Sequence, residues 1–68
     1  MTLGLTINQG VADNEILALK SSDVAHGVTD VAETDTFFTI TKTIATTGGA
    51  RLRGFSSDEA ALALEGIG

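Results

Sequence analysis

Cysteine, proline, tryptophan and tyrosine are all missing from these 68 residues, and phenylalanine occurs three times. Without cysteine there is no disulfide framework, no thiolate zinc site and no cysteine nucleophile. Without tryptophan or tyrosine, the apolar residues are mostly small or aliphatic, and each brings limited area to a core. Basic residues are scarce too. Four Lys and Arg against nine Asp and Glu leave a formal net charge of −5, the wrong sign for a stripe that meets nucleic-acid phosphates. No apolar run approaches the roughly 18 residues of a membrane helix. Neither nucleic acid nor membrane is therefore an expected partner.

What is present is apolar. Hydrophobic residues make up 43% of the chain and the mean hydropathy is +0.25, too high for a disordered tail. A domain this short buries only about 60% of its unfolded surface. Small domains of this kind lean on disulfides, a metal or partner chains. Disulfides are impossible here, and a structural metal would find a single histidine and no thiolate. No cofactor is expected. Self-association is the remaining route.

Along the chain the pattern is one of short strands broken by turns. Residues 2–8 alternate, with Leu3, Leu5 and Ile7 on one side and Thr2, Gly4, Thr6 and Asn8 on the other, the period of two of a half-buried strand. Residues 9–14 are turn-rich. Residues 15–20 contain Ile16, Leu17, Ala18 and Leu19 in a row, which predicts a strand covered on both faces. Residues 21–36 are rich in Asp, Ser, Thr and Gly and carry Asp-Val-Ala twice, at Asp23 and Asp30. They read as a compact loop with room for one helical turn, long for so small a domain.

The strongest strand is predicted over residues 36–45, where β-branched and aromatic residues dominate. Phe38, Ile40 and Ile44 share one face; Phe37, Thr39, Thr41 and Thr43 share the other. Thr46-Thr47-Gly48-Gly49 signals a turn, and residues 50–55 return as a second strand. A loop of residues 47–49 sets Ile44 opposite Leu52 and places Gly49 in the left-handed region. The end of the chain has two readings. Ser56-Ser57-Asp58-Glu59 before Ala60 fits a capping box with Gly66 as the stop. The same stretch also alternates, Leu62 and Leu64 against Ala61, Ala63 and Glu65. The strand reading is preferred, because the preceding residues read as β. Strand-like sequence near both termini reads as a single β-rich module, residues 1–68, of a longer chain.

Few residues point to chemistry. His26 lies near Ser21, Ser22 and Asp23, but no glycine-flanked nucleophile turn accompanies them. It reads as a loop histidine whose ring bonds a backbone group, with copies near a symmetry axis as the sharper alternative. Asp30, Glu33 and Asp35 offer hard oxygen ligands without the spacing of a calcium loop. They read as a solvated acidic loop or as partners for Arg51 and Arg53. Those arginines sit two apart on one strand face and form, with residues 21–36, the one candidate surface for an anionic glycan. Lys42 reads as a charge guarding a strand edge. An enzyme is not expected.

Leu5-Thr6-Ile7-Asn8-Gln9-Gly10, the run from Asp13 to Gly27, Ala32-Glu33-Thr34-Asp35-Thr36, and Thr47-Gly48-Gly49 followed by Gly54-Phe55-Ser56 together resemble a module of uncharacterised phage tail-fibre-like virion structural proteins. The resemblance covers most of the chain and carries no catalytic residues. It implies a fibrous, β-rich, trimeric element of a virion fibre, in contact with neighbouring fibre modules. The combined expectation is an all-β fold of short antiparallel strands and hairpins in an intertwined trimeric β-fibre or β-prism. Small residues would let chains approach an axis, and threonines would solvate the outer face. The core and trimer interface would comprise Leu3, Leu5, Ile7, Leu17, Leu19, Phe38, Ile40, Ile44, Leu52, Phe55, Leu62 and Leu64. The alternative function is a receptor-binding module touching a host-surface glycan.

Overall fold

Between Thr36 and Ile44 every residue except Lys42 is threonine, phenylalanine or isoleucine. Such side chains lose little on a pleated surface and resist helix. In a computed structural model, which describes residues 4–68, this stretch is the central strand of the fold. The strands are β1 (Leu17–Lys20), β2 (Thr36–Ile44) and β3 (Gly48–Gly54). They form one open antiparallel sheet in the order β1-β2-β3. The fold is all-β. There is no helix among the described residues, so the helical turn allowed for residues 21–36 does not form.

Several expected elements are displaced. Residues 4–8 carry the alternation of a strand but pair with nothing, and Leu3 lies outside the described residues. Residues 57–65 form neither strand nor helix. Ser56 Oγ accepts from the Asp58 N–H and Asp58 Oδ1 from the Glu59 N–H, local bonds that hold a bend instead of starting a helix. β1 is an edge strand, half-buried and then exposed, and is not covered on both faces.

The hairpin differs from expectation in a way that keeps its logic. Ile44 pairs with Gly48, Lys42 with Ala50 and Ile40 with Leu52, so residues 45–47 make the loop. Gly49 has φ +84° as its neighbour Gly48 has φ +89°, but both glycines open β3 instead of closing the turn. The shift preserves parity, so Leu52 still meets an isoleucine; it is Ile40 and not Ile44. Thr43 Oγ1 also gains a bond to the Gly48 carbonyl at 2.6 Å. At the other end of β2 the partner register slips: Leu19 pairs with Phe38 and Lys20 with Thr36. Phe37 is the extra residue of a β-bulge, and its carbonyl accepts from the Phe55 N–H at 3.0 Å.

The loop between β1 and β2 is tied down at several points. The Ser21 N–H donates to the Asp35 carbonyl at 3.0 Å and the His26 N–H to the Thr34 carbonyl at 3.2 Å. Thr34 Oγ1 returns a bond to the His26 carbonyl at 2.9 Å. Lys20 Nζ meets Glu33 at 2.7 Å and Asp35 at 3.2 Å. Glu33 and Asp35, two of the three acids read as a solvated loop or as partners for Arg51 and Arg53, therefore hold the base of this loop to β1.

Candidate functional site

Pairing register sorts the sheet into two faces. On one face the cross-strand rows are Leu17–Ile40–Leu52 and Leu19–Phe38–Gly54. On the other they are Ala18–Thr39–Arg53 and Thr41–Arg51. In an ordinary half-buried sheet the apolar face is the covered one. Here the fully covered patch is on the polar face, at Thr36 and Thr39, while Thr43 and Arg51 farther along that face are exposed. Residues 29–33 fold over it and form a hollow with Thr36 and Thr39, both of them buried. Threonines expected to solvate an outer face thus lie under a loop. The leucines opposite them are open: Leu52 is 55% exposed and Leu19 41%.

Among the described residues, Phe55 is the sole buried hydrophobic side chain, 7% exposed. It stacks on His26, with ring centroids 5.6 Å apart and planes at 22°. His26 is buried as well, and both ring nitrogens are engaged. Nδ1 accepts from the Val28 N–H at 3.1 Å, and Nε2 lies 2.5 Å from the Thr36 carbonyl. A carbonyl can only accept, so Nε2 carries the proton and the ring is the neutral tautomer. The expected bond from ring to backbone is present, and it pins the loop to the start of β2. A groove of about 540 Å³ runs beside this pair, past Phe37, Ser56 and Ala61.

The other residues expected at a core or interface fall into two groups. Leu17, Phe38 and Ile40 are half-buried on the apolar face. Leu5, Ile7, Ile44, Leu62 and Leu64 are exposed, Leu64 completely at 102%. The chain spreads accordingly. Its accessible surface is 5487 Å², where a compact monomer of this mass shows about 4,000 Å². Its radius of gyration is 14.1 Å, against about 11 Å for a compact domain of this length. The excess of roughly 1,400 Å² exceeds the ~800 Å² that one partner contributes to a standard interface.

Charges are sparse and mostly local. Lys42 does not guard an edge; it lies on the central strand and meets Asp13 at 2.8 Å. Arg51 and Arg53 make no ion pair among the described residues. They line a hollow with Thr41, Lys42, Asp13 and Glu15, and the Thr41 hydroxyl is buried there without a partner. The Ser21 hydroxyl, 2.5 Å from Asp23, holds the Asp23 carboxyl below the ordinary range, with help from its own backbone N–H. The bond to Glu33 raises the Lys20 ammonium, against a smaller opposing effect of desolvation.

Sequence reasoning missed the buried threonines and the bulge. No described helix is long and apolar enough to cross a membrane. Compared with protein-family models, with curated proteins and with solved structures, the chain matches none.

Proposed function

We propose that this chain is a structural module of a phage-type virion or tail fibre, which trimerises or extends the shaft by sharing its apolar sheet face between copies. The observation that carries this reading is the inversion of the sheet: Leu19 and Leu52 stand open while Thr36 and Thr39 are covered. An open apolar face, in a chain whose total surface exceeds that of a compact monomer by roughly 1,400 Å², is a liability in a monomer and an asset in an oligomer. The trimer, the virion location and contact with neighbouring fibre modules follow from the resemblance in sequence. The role is mechanical. A non-catalytic reading is supported by the occupied ring of His26 and by the Ser21 hydroxyl, which is spent on Asp23.

Sedimentation equilibrium of the full chain tests the reading. The expected result is a species of three times the 7.0 kDa chain mass that persists into the low micromolar range. A folded monomer across that range overturns it, and a glycan array then becomes the next experiment.

A further inference from the structure

The C-terminal residues 61–68 form no regular element and are largely unpaired, although their sequence alternates as a strand does. β3 is hydrogen-bonded on one side only, to β2. Its other edge carries free backbone groups over Gly48–Gly54, a template for an incoming strand. The chain's own tail is badly placed to fill it. A Cβ built on Gly54 would collide with the Ala61 carbonyl and touch the Leu62 side chain at 3.3 Å. A Cβ points out of the sheet plane, so the tail crosses the face of the sheet at Gly54 instead of lying beside the edge. Beyond that crossing Leu64 and Ile67 stand fully or almost fully in solvent.

We infer that residues 62–66 add as an antiparallel strand to the β3 edge of a second copy of this chain. This rests on the self-association proposed above and specifies its geometry. Register selects the pairing. Leu64 opposite Leu52 continues the apolar row Leu17–Ile40–Leu52. The same register sets Leu62 opposite Gly54, where space is open on the neighbour once its own tail has left for the next copy. It sets Glu65 opposite Arg51, one of the two arginines without an ion pair among the described residues. Opposite charges directly across a ladder are favourable. The N-terminal residues 4–8 also alternate, but they hold Gly4, Thr6 and Asn8 opposite their apolar side and offer the arginines no charge. Each copy would donate one tail and accept another, a head-to-tail contact that closes into a ring or continues as a fibre.

The absence of native cysteine makes the test clean. A full-length Leu52→Cys chain is mixed with a full-length Leu64→Cys chain and oxidised in air, and the disulfide-linked species are counted. In parallel, amide hydrogen exchange is followed at residues 62–66, and the mass of Arg51→Glu is compared with that of Arg51→Glu/Glu65→Arg. The expected result is preferential formation of the mixed disulfide, exchange at residues 62–66 slowed at least about tenfold in the oligomer, dissociation of the single variant at about tenfold higher concentration, and recovery in the double variant. An oligomer with unprotected tail amides and no mixed disulfide overturns the strand addition and leaves the fibre reading standing. A chain that is monomeric throughout overturns both. Tail amides protected in a monomer overturn the inference in favour of pairing within one chain.

Discussion

Thr39 and Leu52 lie on neighbouring strands of one sheet, on opposite faces, and their exposures are reversed: Thr39 is 4% exposed and Leu52 55%. The polar face is closed by a loop that carries its own hydrogen bonds. It is held by Ser21, His26 and Thr34 at the backbone and by Lys20 at its base. The apolar face has no such loop: the tail touches it only at Gly54, through Ala61 and Leu62, while residues 4–8 and Leu64 and Ile67 stand exposed. The few stabilising contacts of this chain are thus unevenly placed: hydrogen bonds order the loop on the polar side, and the apolar side stays partly open.

The comparison can be broken most severely at Phe55. It is the buried hydrophobic side chain that joins the loop, through His26, to the end of β3. Truncating such a phenylalanine costs about 3–5 kcal/mol. Phe55→Ala is expected to abolish cooperative unfolding in urea, because a domain of this size has little stability to lose. His26→Ala comes next. It leaves the Thr36 carbonyl and the Val28 N–H without partners, at roughly 1–3 kcal/mol for the groups left unpaired. The urea midpoint should fall and amide exchange at residues 26–36 should accelerate, with the β2–β3 pairing unaffected.

Three glycines give smaller effects. Gly54→Ala drives a methyl group against the Ala61 carbonyl, and overpacking of this kind costs about 1–3 kcal/mol. The tail is expected to leave the sheet, seen as chemical-shift changes at Ala61 and Leu62 in NMR spectra. Gly49→Ala and Gly48→Ala both place a side chain at positive φ, a cost of about 1–2 kcal/mol. Gly49→Ala should be the worse of the two by thermal unfolding, because its methyl also meets Thr43 Oγ1, whereas the position at Gly48 is open.

The smallest effects come from charge. Asp23 titrates below its ordinary value because of Ser21. Its contribution is complete above pH 3.8 and fades as pH falls through the lower folded value. Lys20 is raised by Glu33 above 10.5. Its contribution is complete below that and fades as pH rises through the higher folded value. Asp23→Asn should therefore flatten the acid limb of a stability–pH curve, and Lys20→Met the alkaline limb.

Much of the sheet was legible. Nine residues of β2 hold almost nothing but strand formers, and no competing local bond interferes with them. The hairpin was legible in parity but not in phase, because Ile40 and Ile44 are both candidates for Leu52 and only the placement of two positive-φ glycines decides between them. The terminal segments were misread for a physical reason. Alternation in Leu5-Thr6-Ile7 or in Leu62-Ala63-Leu64 shows that a segment suits a ladder, but the ladder must be supplied by another strand. Within one chain the edges on offer are the four residues of β1 and the seven of β3. The covered threonines were illegible from periodicity, which reports two different faces and not which of them a loop will close.

Burial of the row Leu17–Ile40–Leu52 against another copy, as proposed above, is read by light scattering across a dilution series on the wild-type chain and on Leu19→Asp/Leu52→Asp. Both leucines are exposed within one copy, so the double variant should still fold. The expected result is a wild-type mass of three chains that holds on dilution and a variant that is folded and monomeric. A wild-type chain that is folded and monomeric at every concentration, or a variant that keeps the wild-type mass, would contradict it.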